Sequence, residues 1–290
     1  MEDIVVGVDG SENAAQALVW AAAEADRHGW PLTAVLAWGF LDQHHPGGGT
    51  EFDPEYNEAR ARAALDSYIE KALGAERATS VQRRVVCDFA VQALLDTADD
   101  AALLVAGARG LGGFRGLLLG SVTQQLLHYG TCPVAVVRPG SSTPAGGATE
   151  RIVAGVDGSD TARQALRWAV EEARVRGAAL EAVSAWHVPY VGDYPYTSAL
   201  FDPTLFEEEG RRVLDGVVDS IDTSGLAHPV KRTLAGGGAA ASLLHAAEGA
   251  SLVVVGSRGL GGFKGLVLGS VSHQVAHRAP CPVVVVPPAQ

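Results

Sequence analysis

A glycine-rich segment occurs twice in this chain, once near the end of each half, and it constrains the reading of everything around it. The first copy, Gly107-Ala-Arg109-Gly110-Leu-Gly112-Gly113-Phe114-Arg115-Gly116-Leu-Leu-Leu-Gly120-Ser121-Val122, returns as Gly256-Ser-Arg258-Gly259-Leu-Gly261-Gly262-Phe263-Lys264-Gly265-Leu-Val-Leu-Gly269-Ser270-Val271. Eleven of the thirteen positions from Gly110 to Val122 are identical in the second copy. So many glycines in one register imply a backbone that must approach something closely. An apolar run precedes each copy, Ala101 to Ala106 and Ser251 to Val255, and a helix is predicted to open at Ser121 and at Ser270. A strand, a glycine loop and a helix N-terminus, in that order, form an arrangement that holds phosphate.

The starts of the two halves repeat as well. Val5-Val-Gly7-Val8-Asp9-Gly-Ser11 aligns with Val153-Ala-Gly155-Val156-Asp157-Gly-Ser159 at an offset of 148, and the glycine segments align at 149. One insertion over that distance means one fold used twice, so the 290 residues make two domains, each long enough to bury its own core. Between them, Pro139-Gly-Ser-Ser-Thr-Pro-Ala-Gly-Gly-Ala-Thr-Glu150 has a linker composition. The expected division is a first domain over 1–140, a linker over 141–150 and a second domain over 151–290.

Within the first half, Asp3 to Val8 reads as a strand, and Ser11 caps an alanine-rich helix with apolar residues at helical spacing as far as His28. Leu32 to Trp38 reads as the second strand, followed by a long loop and a helix from Pro54 to about Leu73. Val81–Val86, Ala101–Ala106 and Pro133–Val137 read as strands three to five, with helices near Val91–Ala98 and Ser121–Tyr129. The second half repeats the elements in order, closing on Pro282–Val286. Near-continuous Val, Ala and Leu strands alternating with helices predict an α/β fold: two tandem Rossmann-like domains, each a five-stranded parallel sheet covered on both faces. Ligands in such sheets bind beyond the carboxyl ends of the strands, where the strand order switches. Asp9 and Gly107 meet there if strand four lies beside strand one.

A net charge of −11 argues against nucleic-acid polymers and anionic membranes as partners. Arg109, Arg115, Arg258 and Lys264 nevertheless place cations inside the glycine segments, where they serve either a small anion or the solvent. The start Met-Glu-Asp-Ile is acidic and enters a strand directly, so neither a signal peptide nor a membrane span is expected. Three cysteines without a CxxC spacing suit a reduced compartment, and Cys132 and Cys281, each in a Cys-Pro-Val context, read as buried packing. Taken together, a cytoplasmic protein is expected.

Two familiar glycine loops fail on spacing. The Walker motif needs Gly-Lys-Ser/Thr, yet Lys264 is followed by Gly265 and Arg115 by Gly116. The dinucleotide fingerprint would need glycine at 115 and a place after the first strand. What remains is Gly-x2-Gly-x9-Gly-Ser, as Gly107, Gly110, Gly120, Ser121 and as Gly256, Gly259, Gly269, Ser270, each behind a fourth strand in a half whose first strand ends in Asp. On these motifs the chain resembles the universal stress protein family, in its tandem form and its ATP-binding branch, nearly end to end.

The resemblance implies ATP with Mg²⁺ in each domain. Gly7, Val8 and Asp9, with Gly155, Val156 and Asp157, would sit against ribose and phosphates. Ala37 and Ala185 would line the adenine pocket, and Ala106 and Val255 would lie against the nucleoside. Ser121, Val122 and Thr123, with Ser270, Val271 and Ser272, would close on the phosphates, beside the loop glycines and Phe114, Arg115, Phe263 and Lys264. Asp9 and Asp157 could hold Mg²⁺ through water; alone, each Asp-Gly reads equally as a turn. AMP or a cyclic nucleotide remains open as the ligand.

Cys87-Asp-Phe-Ala90 stands where the second half has Ala235-Gly-Gly-Gly238, so the two sites are expected to differ in shape. His273 and His277, at i and i+4, read as solvated or interface histidines for want of a third ligand, and His44-His45 as part of a polar loop. No nucleophile elbow, zinc-hydrolase or Cys/His arrangement occurs. A binder with slow incidental hydrolysis is therefore expected, and the family resemblance implies a nucleotide-dependent sensor or regulator in stress or growth arrest. The alternatives are an adenylyl-transferring or ATP-hydrolysing enzyme and a nucleotide-free interaction module. Fusion would make an internal pseudo-dimer, and the resemblance implies a homodimer of tandem chains with an unknown downstream protein partner.

Overall fold

Alternating apolar strands and amphipathic helices build the same sequence of elements twice. The computed structural model describes residues 3–39, 41–46, 51–111, 119–140, 150–187, 202–260 and 268–289, and the chain divides into units Met1–Ser141 and Ser142–Ala289. The first unit runs β1 (Ile4–Gly7), α1 (Glu12–His28), β2 (Leu32–Trp38), α2 (Glu58–Leu73), α3 (Ala75–Ala78), β3 (Gln82–Cys87), α4 (Ala90–Thr97), β4 (Leu103–Gly107), α5 (Ser121–Tyr129) and β5 (Val134–Val137). The second runs β6 (Arg151–Gly155), α6 (Asp160–Arg176), β7 (Ala179–Trp186), α7 (Pro203–Asp219), β8 (Lys231–Gly236), α8 (Ala239–Ala246), β9 (Leu252–Gly256), α9 (Ser270–Arg278) and β10 (Val283–Val286).

Each unit holds its five strands in one parallel order, β3-β2-β1-β4-β5 in the first and β8-β7-β6-β9-β10 in the second. In the first, Ile4 pairs with Leu32 on one side and Leu103 on the other. In the second, Ile152 pairs with Leu180 and Leu252. The order reverses direction between β1 and β4, and between β6 and β9, so strand four lies beside strand one in both units, the condition for Asp9 and Gly107 to share a site. Helices cover both faces: α1 packs on β1 and β4 and touches α2, while α4 packs on β1 and β2 and touches α5. The central strands are buried on both sides, with Ile4, Val5, Leu104, Ile152, Val153 and Val254 fully enclosed, which explains their unbroken apolar composition.

Local chemistry sets the element ends. Ser11 Oγ accepts a bond of 3.1 Å from Ala14 N to open α1, and Ser159 Oγ one of 3.2 Å from Ala162 N to open α6. The second helix of the first unit starts at Glu58, four residues later than the expected Pro54. The reason is capping: Asn57 Oδ1 accepts from Arg60 N at 3.2 Å, while Asp53 Oδ1 accepts from Glu55 N at 2.9 Å and holds Pro54 and Glu55 in a turn. The short α3 was not anticipated. Among the described residues no helix is long and apolar enough to cross a membrane.

Candidate functional site

A cleft opens at the carboxyl end of each sheet, at the switch in strand order. The first, about 470 Å³, is lined by Gly7, Val8, Asp9, Ala37, Ala106, Gly107, Arg109, Gly110, Gly120, Ser121, Val122 and Thr123. The second, about 550 Å³, is lined by Gly155, Val156, Asp157, Ala185, Val255, Gly256, Arg258, Gly259, Gly269, Ser270, Val271 and Ser272. Every described residue singled out as a site candidate therefore faces one of two clefts. Gly112, Gly113, Phe114, Arg115 and Gly116, with Gly261, Gly262, Phe263, Lys264 and Gly265, lie outside the described residues.

The two aspartates brace the glycine loops from below. Asp9 Oδ1 accepts from Ser11 N and Oδ2 from Leu111 N, both at 2.9 Å. Asp157 does the same with Ser159 N at 2.9 Å and Leu260 N at 3.0 Å. Each carboxylate thus ties the start of the first helix to the loop a hundred residues away. Asp157 Oδ1 also accepts from the Ser159 hydroxyl at 2.6 Å, while the Oδ2 of each aspartate keeps a second lone pair, so water around a cation remains within its chemistry. The glycines answer this packing. A Cβ on Gly110 would collide with Asp9 Oδ2, and one on Gly259 with Asp157 Oδ2. A Cβ on Gly107 would stand 2.7 Å from the Asn13 carbonyl carbon, and one on Gly256 2.8 Å from that of Thr161. What the loop backbone approaches so closely is, at these four positions, the protein itself.

Above the brace, α5 and α9 point their N-termini into the clefts. Glycine occupies both cap positions, Gly120 and Gly269, and no side chain caps either first turn. The amides of Ser121, Val122 and Thr123, and of Ser270, Val271 and Ser272, are the unpaired donors of a helix start, backed by the helix dipole. The hydroxyls divide the labour. Thr123 Oγ1 donates to the Gly107 carbonyl at 2.7 Å and Ser272 Oγ to the Gly256 carbonyl at 2.6 Å, fixing the helix on the strand end. Ser121 and Ser270 are exposed. Such a concave site, apolar at one end and rich in backbone donors at the other, accepts a small anion with an apolar or aromatic group attached.

The universal stress protein family profile matches residues 1–138 and 148–287. The chain belongs to the universal stress protein family. It is 35% identical over 289 residues to a universal stress protein of Mycolicibacterium smegmatis, covering 98% of this chain and 97% of that one. It is 33% identical over 292 residues to one of Mycobacterium tuberculosis, covering 97% and 95%. Among solved structures, a universal stress protein from Archaeoglobus fulgidus superposes with a TM-score of 0.63 at 21% identity, covering 99% of this chain and 96% of that one, a likeness of fold.

In this universal stress protein the first cleft has a wall that the sequence reading did not foresee. His44, expected in a polar loop, is only 6% exposed and lines the cleft together with Asp42. Its Nδ1 lies 3.2 Å from the Asp9 carbonyl oxygen, and its Nε2 lies 3.7 Å from Asp42 Oδ1. The strap that carries it is pinned from α2 and the turn before it. Tyr56 Oη donates to the His44 carbonyl at 2.6 Å and accepts from His44 N at 3.1 Å, and Tyr68 Oη donates to the His45 carbonyl at 2.9 Å. Gln43 and Asp53 exchange two bonds of 2.8 Å. Burial raises the Tyr56 and Tyr68 phenols above their ordinary value, with Asp42 adding to Tyr56 and Asp9 to Tyr68, so both remain donors at neutral pH. Ala90 and Leu94 of α4, and Ala239 and Leu243 of α8, also line the clefts. Their helical spacing was visible in the sequence, but the side of the sheet they cover was not.

Proposed function

We propose that this universal stress protein binds ATP with Mg²⁺ in each cleft and works as a nucleotide-dependent sensor or regulator under stress or growth arrest, with at most slow hydrolysis. The observation that carries the reading is the pair of uncapped helix starts, each opening beside a glycine loop on a cleft of nucleotide size. In this reading the triphosphate lies against the first-turn amides of α5 or α9 and the loop backbone. The nucleoside end lies toward Ala37 and Ala106, or Ala185 and Val255. Mg²⁺ is held by the phosphates and, through water, by Asp9 or Asp157.

Binding rather than turnover is favoured by the aspartates. Asp157 is the one carboxylate among the described residues lining the second cleft, and its oxygens already accept from Ser159 N and Oγ and from Leu260 N. The lone pair left on Oδ2 serves the water shell of Mg²⁺ in this reading, and among the described lining residues no second carboxylate is left to act as a base. The downstream protein would read the nucleotide-bound state, and tandem chains would associate as a homodimer.

The test is to denature purified protein, identify any released nucleotide by mass spectrometry, and titrate refolded or nucleotide-stripped protein with ATP and Mg²⁺. The companion variant is Ser121→Asp/Ser270→Asp. A carboxylate in a first helical turn favours the helix while repelling phosphate, so the variant keeps its melting temperature and loses binding. Two equivalents of ATP in the parent and none in the variant support the proposal. No binding to the parent overturns it.

A further inference from the structure

Resting on the nucleotide reading of the first cleft, we propose that Asp42 and His44 form a ribose-diol reader that makes this cleft specific for ribonucleotides with free 2′- and 3′-hydroxyls. The pairing of the two side chains is what leads there. The Asp9 carbonyl oxygen can only accept, so His44 Nδ1 at 3.2 Å carries a proton toward it. In the uncharged tautomer that this bond selects, Nε2 is an acceptor, with the Asp42 carboxylate, also an acceptor, 3.7 Å away. Two acceptors side by side on a cleft wall lack a donor between them. A vicinal diol supplies two O–H donors at that spacing, and a phosphate, which supplies only acceptors, is disfavoured there.

Position agrees with chemistry. The order β2-β1-β4 puts the phosphate-type donors of α5 and the glycine loop over β4 and the apolar Ala37 over β2. His44 contacts the end of β1 through the Asp9 carbonyl, with Asp42 beside it on the cleft wall, between those two ends, where the sugar of a nucleotide would lie. The strap bonds from Tyr56, Tyr68 and Gln43 hold the backbone that carries the pair before ligand arrives, so less ordering is left to oppose binding. Asp42 itself is mostly exposed, and its backbone amide donates to the Gly39 carbonyl at 3.2 Å.

The experiment uses the full chain carrying Ser270→Asp, so that the first cleft is read alone, and titrates ATP, 2′-deoxyATP, 3′-deoxyATP and 3′,5′-cyclic AMP by calorimetry. Each lost hydroxyl is expected to weaken binding about tenfold, the scale of one hydrogen bond to a charged acceptor. Asp42→Asn and His44→Ala should lower ATP affinity toward the deoxy values and level the series. Because the ligands vary on an unaltered strap, the result stands even where His44→Ala loosens the fold. Equal affinity for ATP and both deoxy forms overturns the diol reader while leaving nucleotide binding intact. Discrimination that persists unchanged in both variants also overturns it. Absence of ATP binding in the parent chain overturns both.

Discussion

Gly107 and Gly110 carry two different burdens that a sequence motif merges into one. Gly107 lies against the backbone of the first turn of α1, 2.7 Å from Asn13 and 2.9 Å from Ala14 for an added Cβ, and backbone cannot step aside. Gly107→Ala is expected to destabilise the first unit by about 1–3 kcal/mol, the range for overpacking, read as a lower midpoint in urea whether or not nucleotide is present. Gly110→Ala strikes the end of the Asp9 carboxylate instead, breaking its bond to Leu111 N. It therefore loosens the loop and weakens ligand binding at once, which makes it a poorer probe of the site than Ser121→Asp. Asp9→Asn should separate the brace from the charge. It keeps an oxygen for one amide but offers an NH₂ to the other, so loop order falls and amide exchange at Leu111 quickens.

At the scale of elements, a buried carboxylate joins three strands of the second unit. Glu181 of β7 receives Arg151 of β6 at 2.8 Å, Lys231 of β8 at 2.9 Å and the Thr233 hydroxyl at 2.7 Å. Burial alone would raise its pKa; Lys231, Thr233 and Arg151 outweigh it and hold it below the ordinary 4.5. A carboxyl depressed by folding contributes stability that is present above its unfolded value and is lost as pH falls through the folded one. Glu181→Gln should cost about 1–3 kcal/mol at neutral pH, with Arg151 and Lys231 still part solvated. That cost should shrink below about pH 4.5, a convergence visible in paired denaturation curves across pH. Helix starts make a second test. Asn57→Ala removes the cap of α2 and should cost about 1 kcal/mol. α2 also anchors the strap through Tyr68, so exchange at 42–46 should rise with it.

Across the whole molecule, two clefts built alike make a stoichiometric prediction. Ser121→Asp or Ser270→Asp alone should leave about one equivalent of ATP per chain, and the two single variants need not share an affinity, because the Asp42–His44 wall belongs to the first cleft. The thiols report on integrity. Cys87 is exposed whereas Cys132 and Cys281 are buried, and burial pushes the Cys132 thiol up to about 11. A disulfide reagent at neutral pH should therefore label one of the three cysteines in the native state and all three only on unfolding.

The amino-acid sequence alone carried the doubled fold. The offset repeat, the continuous apolar strands, the period-3.6 pattern and the cap at Ser11 are local signals, and local signals survive in one dimension. The same holds for the glycine, serine and Asp-Gly positions that line the clefts, since each belongs to a strand end or helix start with its own signature. What only the tertiary structure decided is what those residues touch. Asp9 meets Leu111 across a hundred positions, Gly107 meets the first turn of α1, and His44 turns inward where Tyr56 holds its own backbone and Tyr68 the carbonyl of His45. No periodicity encodes such contacts, because a polar side chain in a loop is buried or exposed according to which distant donors the fold brings to it.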